Sequence, residues 1–227
     1  MLQYIKDIEW RNFIGNPPIL SSIEEKLKNC EHKILPSYDL LFNAFNLTPM
    51  NKLKVVLLCE KPYARETESF GCSYIVDKTV KEENYPTQLK NILEELKREY
   101  PEFNKSKVED LTNWCKEGVL LLNMILTCEI GSSLSHEGYG WETFIKDIII
   151  DLDKRYKRIL FVCFGYKTKR FVDKIIINNN VLTFRHPNLA NNTFRGNDCF
   201  KKCNDKLIEM GILPVRWWSI FEKKNEK

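Results

Sequence analysis

Four short segments place polar residues directly after apolar runs, and these are where chemistry is expected. Glu60-Lys61-Pro62-Tyr63 follows LKVVLLC, Asn123 follows GVLLL, Gly165-Tyr166 follows RILFVCF, and His186-Pro187 follows VLTF. The Asn123 amide offers a donor and an acceptor together, suited to a ligand edge or to backbone groups left open at a strand end. His186 serves a site or packs as a loop histidine. Lys61 pairs with Glu60, Glu66 or a phosphate, or becomes a nucleophile if burial strips its proton. Cys199 and Cys203 form one Cys-x3-Cys pair with no second pair and no neighbouring histidine. That is a weak zinc signal, so no metal is expected.

The apolar runs read as buried parallel strands over 53–59, 118–122, 158–164 and 181–184. Helical patterns lie between them. Gln88–Tyr100 carries apolar residues at 89, 92, 93 and 96, with Thr87 as N-cap. Residues 142–156, 167–177 and Phe200–Met210 repeat the pattern. Strands alternating with helices predict an α/β fold, a three-layer sandwich with a central, mainly parallel sheet flanked by helices. In such folds ligands bind at the carboxyl ends of the strands, which is where all four polar segments fall.

The chain has 227 residues, enough for a single domain over 1–227. Apolar residues make up 43% and charged ones 29%, a globular composition that excludes disordered and fibrous classes. The net charge of +4 permits a local basic face without requiring one. Most of the eight cysteines sit inside apolar runs, as Cys59 and Cys163 do, which suits free thiols in a reducing, intracellular compartment, cytoplasm or nucleus. No secretory signal and no membrane span is read. Trp217-Trp218 reads as core packing or as aromatic area for a protein partner.

Several motifs in order carry a resemblance: ILPSYDLLFNAFNLTPMNKLKVVLLCEKPYA, LKNILEEL, WCKEGVLLLNMILT, SHEGYGWETF, HPNLANNTFRG and LPVRWW. Together they span about residues 33–220, and the chain resembles the family 1 uracil-DNA glycosylases. The resemblance implies a protein that extrudes one nucleotide from DNA and holds the base in a tight pocket. It assigns Asn123 to reading the uracil edge, Tyr74 to stacking on the base and Tyr63 to excluding a thymine methyl. His186 falls on the histidine that stabilises the departing uracil anion. No cofactor is implied, since the chemistry needs only water, and a monomer acting on DNA is expected.

One loop departs from the family pattern. Where members read G-Q-D-P-Y-H-G, positions 59–65 read Cys59-Glu60-Lys61-Pro62-Tyr63-Ala64-Arg65. Lys61 thus stands at the water-activating aspartate. Two like unit charges about 4 Å apart repel by roughly 4 kcal/mol at an effective dielectric near 20. Against a cationic sugar this equals about three powers of ten in rate. Three outcomes follow: Lys61 does no chemistry and ordinary hydrolysis is impaired or absent; Glu60 takes over the carboxylate role; or Lys61 attacks the sugar.

The DNA-handling loops are altered too. Lys81–Thr87 keeps only Pro86 and the Thr87 hydroxyl of a proline-rich loop, and Gly165 is followed by Tyr166 in place of serine. Leu189 is the candidate duplex wedge, in a register open by one residue, with Arg195-Gly196 after it. The His136 of Ser135-His136 is read as structural or phosphate-facing. Arg65, Lys167, Lys169, Arg170, Arg185 and Arg195 could follow a phosphate backbone. The expectation is a divergent family member that binds DNA and admits a uracil-like base. An active glycosylase with altered specificity or mechanism, and a replication-associated interaction module, are the alternatives.

Overall fold

The computed structural model describes residues 1–101, 111–188 and 193–218. The apolar runs become four parallel strands: β2 (Val55–Cys59), β3 (Val119–Asn123), β5 (Leu160–Phe164) and β6 (Asn180–Phe184), in the order β3-β2-β5-β6. Every residue of β2, β3 and β5 is buried, as strands covered on both faces must be. β6 lies at the sheet edge and is only half-buried. The register aligns the carboxyl ends, Cys59 opposite Asn123 and Phe164 opposite Phe184. The chain steps from β2 to β3 on one side, then crosses to β5 on the other. That reversal opens a crevice beyond the end of β2.

Helices flank the sheet: α1 (Ile8–Ile14), α2 (Ile19–Lys28), α3 (Asn43–Leu47), α4 (Thr87–Glu99), α5 (Thr112–Lys116), α6 (Trp141–Arg155), α7 (Tyr166–Val172) and α8 (Cys199–Glu209). A separate antiparallel pair joins β1 (Ile34–Leu35) to β4 (Cys128–Glu129). The predicted α/β sandwich is therefore the observed architecture. No helix among the described residues is long and apolar enough to cross a membrane.

Polar side chains fasten the elements together. Leu89, Ile92, Leu93 and Leu96 bury one face of α4, and the buried Glu95 and Glu99 follow on the same helix. Glu95 accepts from the Gly196 and Asp198 amides at 2.6 and 2.9 Å. Glu99 accepts from Phe200 and Lys201 at 3.2 and 2.6 Å, capping the start of α8. The buried indoles are satisfied as well. Trp114 Nε1 donates to the Trp217 carbonyl at 2.7 Å, and Trp217 Nε1 to Asn204 at 3.2 Å. Trp217 is thus core, while Trp218 is half-buried against Tyr100.

Three local expectations change. Thr87 is the first residue of α4 and makes no capping bond; Pro86 precedes it as the cap. The helix expected over 167–177 stops at Val172, because the Ile177 and Asn178 amides donate instead to Asp153 of α6 at 2.9 and 3.1 Å. Neither α1 nor α2 was expected.

Candidate active site

The loop after β2 is clasped by backbone bonds. The Met124 amide donates to the Cys59 carbonyl at 2.8 Å, Ile125 to Glu60 at 3.0 Å, and Gly131 to Ala64 at 2.8 Å. Glu60–Arg65 is thereby fixed beside the segment that leaves β3. Together with Ser73, Tyr74, Asn123 and His186 it lines a cavity of about 560 Å³.

Asn123 ends β3 and is 5% exposed. Its Oδ1 accepts from the Ser73 hydroxyl at 2.8 Å. This leaves one Oδ1 lone pair and the Nδ2 protons for a ligand. Ser73 is itself tied to β3 by its amide, which donates to the Leu121 carbonyl at 3.0 Å. Tyr74 follows with φ of 64°, a left-handed conformation that is costly for a non-glycine residue. That turn sets its buried ring beside Phe164, with centroids 6.0 Å apart. Burial pushes the Tyr63 and Tyr74 phenols well above their ordinary range, so both are neutral. The Tyr63 hydroxyl is buried without a hydrogen-bond partner.

His186 enters from the end of β6. The Asn188 amide donates to its Nδ1 at 3.1 Å, which assigns the remaining proton to Nε2. Burial holds the imidazole below its usual value; nearby Glu60 draws it up and Lys61 draws it down. The result at neutral pH is an uncharged ring with a donor nitrogen. Gly165 makes the fit possible. Its φ of 106° and ψ of 166° belong to glycine, and a Cβ there would lie 3.2 Å from His186 Cδ2.

The two charged residues after β2 turn to other partners. Lys61 Nζ donates to Ser133 Oγ at 2.7 Å, and Glu60 pairs with Lys167 at 2.6 Å. Of the partners expected for Lys61, the two carboxylates are taken elsewhere: Glu60 is held by Lys167, and Glu66 by Lys33 at 2.5 Å. Lys61 is half-buried at the cavity wall and leaves the interior open.

The remaining predicted residues are dispersed. Gly165 and Tyr166 form the turn into α7; Tyr166 is 71% exposed, with the Arg170 guanidinium 5.6 Å from its ring centroid. Thr87 is exposed at the start of α4. Arg195 does not line the base-sized cavity. With Arg185, Lys202 and Lys206 it lines a second one, of about 750 Å³, beside β6. Leu189 lies outside the described residues. Arg65 pairs with Glu68 at 3.2 Å, and Lys169 with Asp173. His136 is fully buried, stacked on Tyr139 with Nδ1 2.8 Å from Thr127 Oγ1, so it is structural and does not face phosphate. Sequence reasoning missed Ser73, Gln88 and Ser133 in the cavity wall; small polar residues in loops give no periodic signal.

Similarity to known proteins agrees with this geometry. Residues 45–208 match the family described as the uracil DNA glycosylase superfamily. A uracil-DNA glycosylase of Campylobacter hominis is 38% identical over 205 residues, covering 88% of this chain and 86% of that protein. One from Dichelobacter nodosus is 39% identical over 186 residues, covering 80% and 79%. Among solved structures, mimivirus uracil-DNA glycosylase aligns with a TM-score of 0.82 at 24% identity, over 96% of this chain and 89% of that one. That likeness speaks to the fold. With strands, crevice and sequence in agreement, the chain belongs to the uracil-DNA glycosylase superfamily.

Proposed function

We propose that this protein works as a single-domain monomer, binds DNA, and takes an extrahelical uracil into the cavity, while its N-glycosidic hydrolysis is slow. One observation carries the reading: at the water-activating position a lysine faces the wall, and the neighbouring carboxylate is held by Lys167. Asn123 reads the base edge and Tyr74 supplies the stacking face. Tyr63 excludes a thymine methyl. His186 donates from Nε2 to the oxygen that gains charge as the base departs. Thr87, Gly165, Tyr166, Leu189 and Arg195 contact the strand around the pocket. Among the described residues of the cavity lining, both carboxylates are paired, Glu60 with Lys167 and Glu68 with Arg65.

A uracil-containing single-stranded oligonucleotide tests this by fluorescence anisotropy and by released base. Tight binding that prefers uracil to thymine, lost on Asn123→Ala, is expected, with slow release. Rapid release that is lost on Asn123→Ala contradicts the reading.

A second reading, an active glycosylase, draws on the glycosylase names of the relatives and on Glu60, which lines the cavity and acts on His186. In it Lys167 exchanges Glu60 for a DNA phosphate, and the freed carboxylate serves the sugar. Loss of all release on Glu60→Gln identifies this case.

A further inference from the structure

A second polar cluster lies outside the base cavity, where the end of α2 meets β4 and the turn that follows it. Cys30, Glu129 and His136 bring one sulfur, one carboxylate oxygen and one imidazole nitrogen within 4.8 Å of one another. Cys30 Sγ stands 3.5 Å from His136 Nε2. Zn–S near 2.3 Å and Zn–N near 2.0 to 2.1 Å in a tetrahedron place those two atoms about 3.5 Å apart. The exposed His32 lies nearby, its Nδ1 3.5 Å from Glu129 Oε2, but it stands outside the group of three and must turn inward to supply a fourth donor.

The surroundings orient the histidine as a ligand. Trp141 Nε1 donates to Thr127 Oγ1 at 2.6 Å, and His136 Nδ1 lies 2.8 Å from the same oxygen. A hydroxyl oxygen has two lone pairs, so it can accept the indole proton and the Nδ1 proton together. In that tautomer the Nε2 lone pair points at Cys30, the arrangement that holds a metal-bound imidazole in place. Burial keeps the ring below its usual protonation range, and the Tyr139 ring stacks on it at 4.4 Å. A thiolate, an imidazole and a carboxylate suit a borderline cation.

We propose that Cys30, Glu129 and His136 bind one zinc ion in a structural role, with the exposed His32 side chain turning inward to complete the set. Binding converts the Cys30 thiol to thiolate and releases its proton to solvent, with no redox change. The metal joins the end of α2 to β4 and fixes both ends of the 129–136 segment. That segment carries Ser133, the partner of Lys61. The proposal is independent of whether the base cavity is catalytic.

The test uses the full chain, stripped with a chelator and titrated with cobalt(II), then zinc(II). Expected are about one cobalt per chain, tetrahedral visible bands with a sulfur-to-cobalt charge-transfer band, and displacement by zinc. Cys30→Ser should lose the charge-transfer band, and Glu129→Gln should bind more weakly in competition with a chelating dye while its circular dichroism is unchanged. In the unmodified chain, zinc should shield Cys30 from iodoacetamide, read by mass mapping of the alkylated peptides. Absence of the cobalt bands, their persistence in folded Cys30→Ser, or equal alkylation of Cys30 with and without zinc overturns the proposal.

Discussion

The two walls of the base-sized cavity are built differently. On the side of β3 and β6, Asn123 and His186 emerge from strand ends and are fixed by short bonds, from the Ser73 hydroxyl 50 residues away and from the neighbouring Asn188 amide. On the side of the β2 loop, the backbone is held as firmly, yet Glu60 and Lys61 turn to partners 107 and 72 residues away in sequence. In the proposed reading, recognition of a base draws mainly on the first wall, with Tyr63 of the second excluding a thymine methyl. Stabilising a cationic sugar needs a carboxylate, and both that line the cavity among the described residues are held in ion pairs, Glu60 with Lys167 and Glu68 with Arg65. On that reading, the fold retains the means to hold a base while Lys61 stands where the family's water-activating carboxylate would.

The largest expected effect comes from restoring the second wall. Lys61→Asp removes a like-charge repulsion of roughly 4 kcal/mol and should raise single-turnover uracil release about a thousandfold. On the first wall, Asn123→Ala leaves Ser73 and the base edge unpaired. At about 1–3 kcal/mol, that should reduce the preference for uracil over cytosine roughly 10- to 100-fold in competition binding, while the preference over thymine, which Tyr63 sets, should persist. Gly165→Ala forces a side chain into a glycine conformation against His186, and should cost about 1–3 kcal/mol in urea denaturation.

The smaller effects probe how the walls communicate. His186 should titrate below its usual value in NMR, Glu60→Gln should lower it further, and Lys61→Met should raise it. Because its folded value is depressed, the stability linked to His186 is present above its ordinary value of 6.5 and lost as pH falls below it. Lys167→Ala removes an exposed ion pair and should change stability by less than about 1 kcal/mol. Its consequence should appear in the His186 titration.

The first wall was more legible in the sequence than the second. Apolar runs ending in punctuation located all four strands, and strand ends located Asn123 and His186, since both follow from period and topology. Lys61 was legible as a charged residue after β2, but the direction of its side chain was not. Side-chain direction in a loop depends on partners such as Ser133 and Lys167, which only the folded chain brings near. The same reason hid Ser73 and the Cys30, Glu129 and His136 cluster, whose members lie on three different elements. The two-residue strands β1 and β4 are too short for periodicity to mark, and Asp153 shortened α7 by taking amides that a longer helix would have used.

The difference between the walls is tested most directly by single-turnover release of uracil from a single-stranded oligonucleotide, with the unmodified protein in excess and binding followed in the same sample. Saturable, uracil-selective binding is predicted, with release about a thousandfold slower than by Lys61→Asp. Release by the unmodified protein as fast as by Lys61→Asp would contradict it.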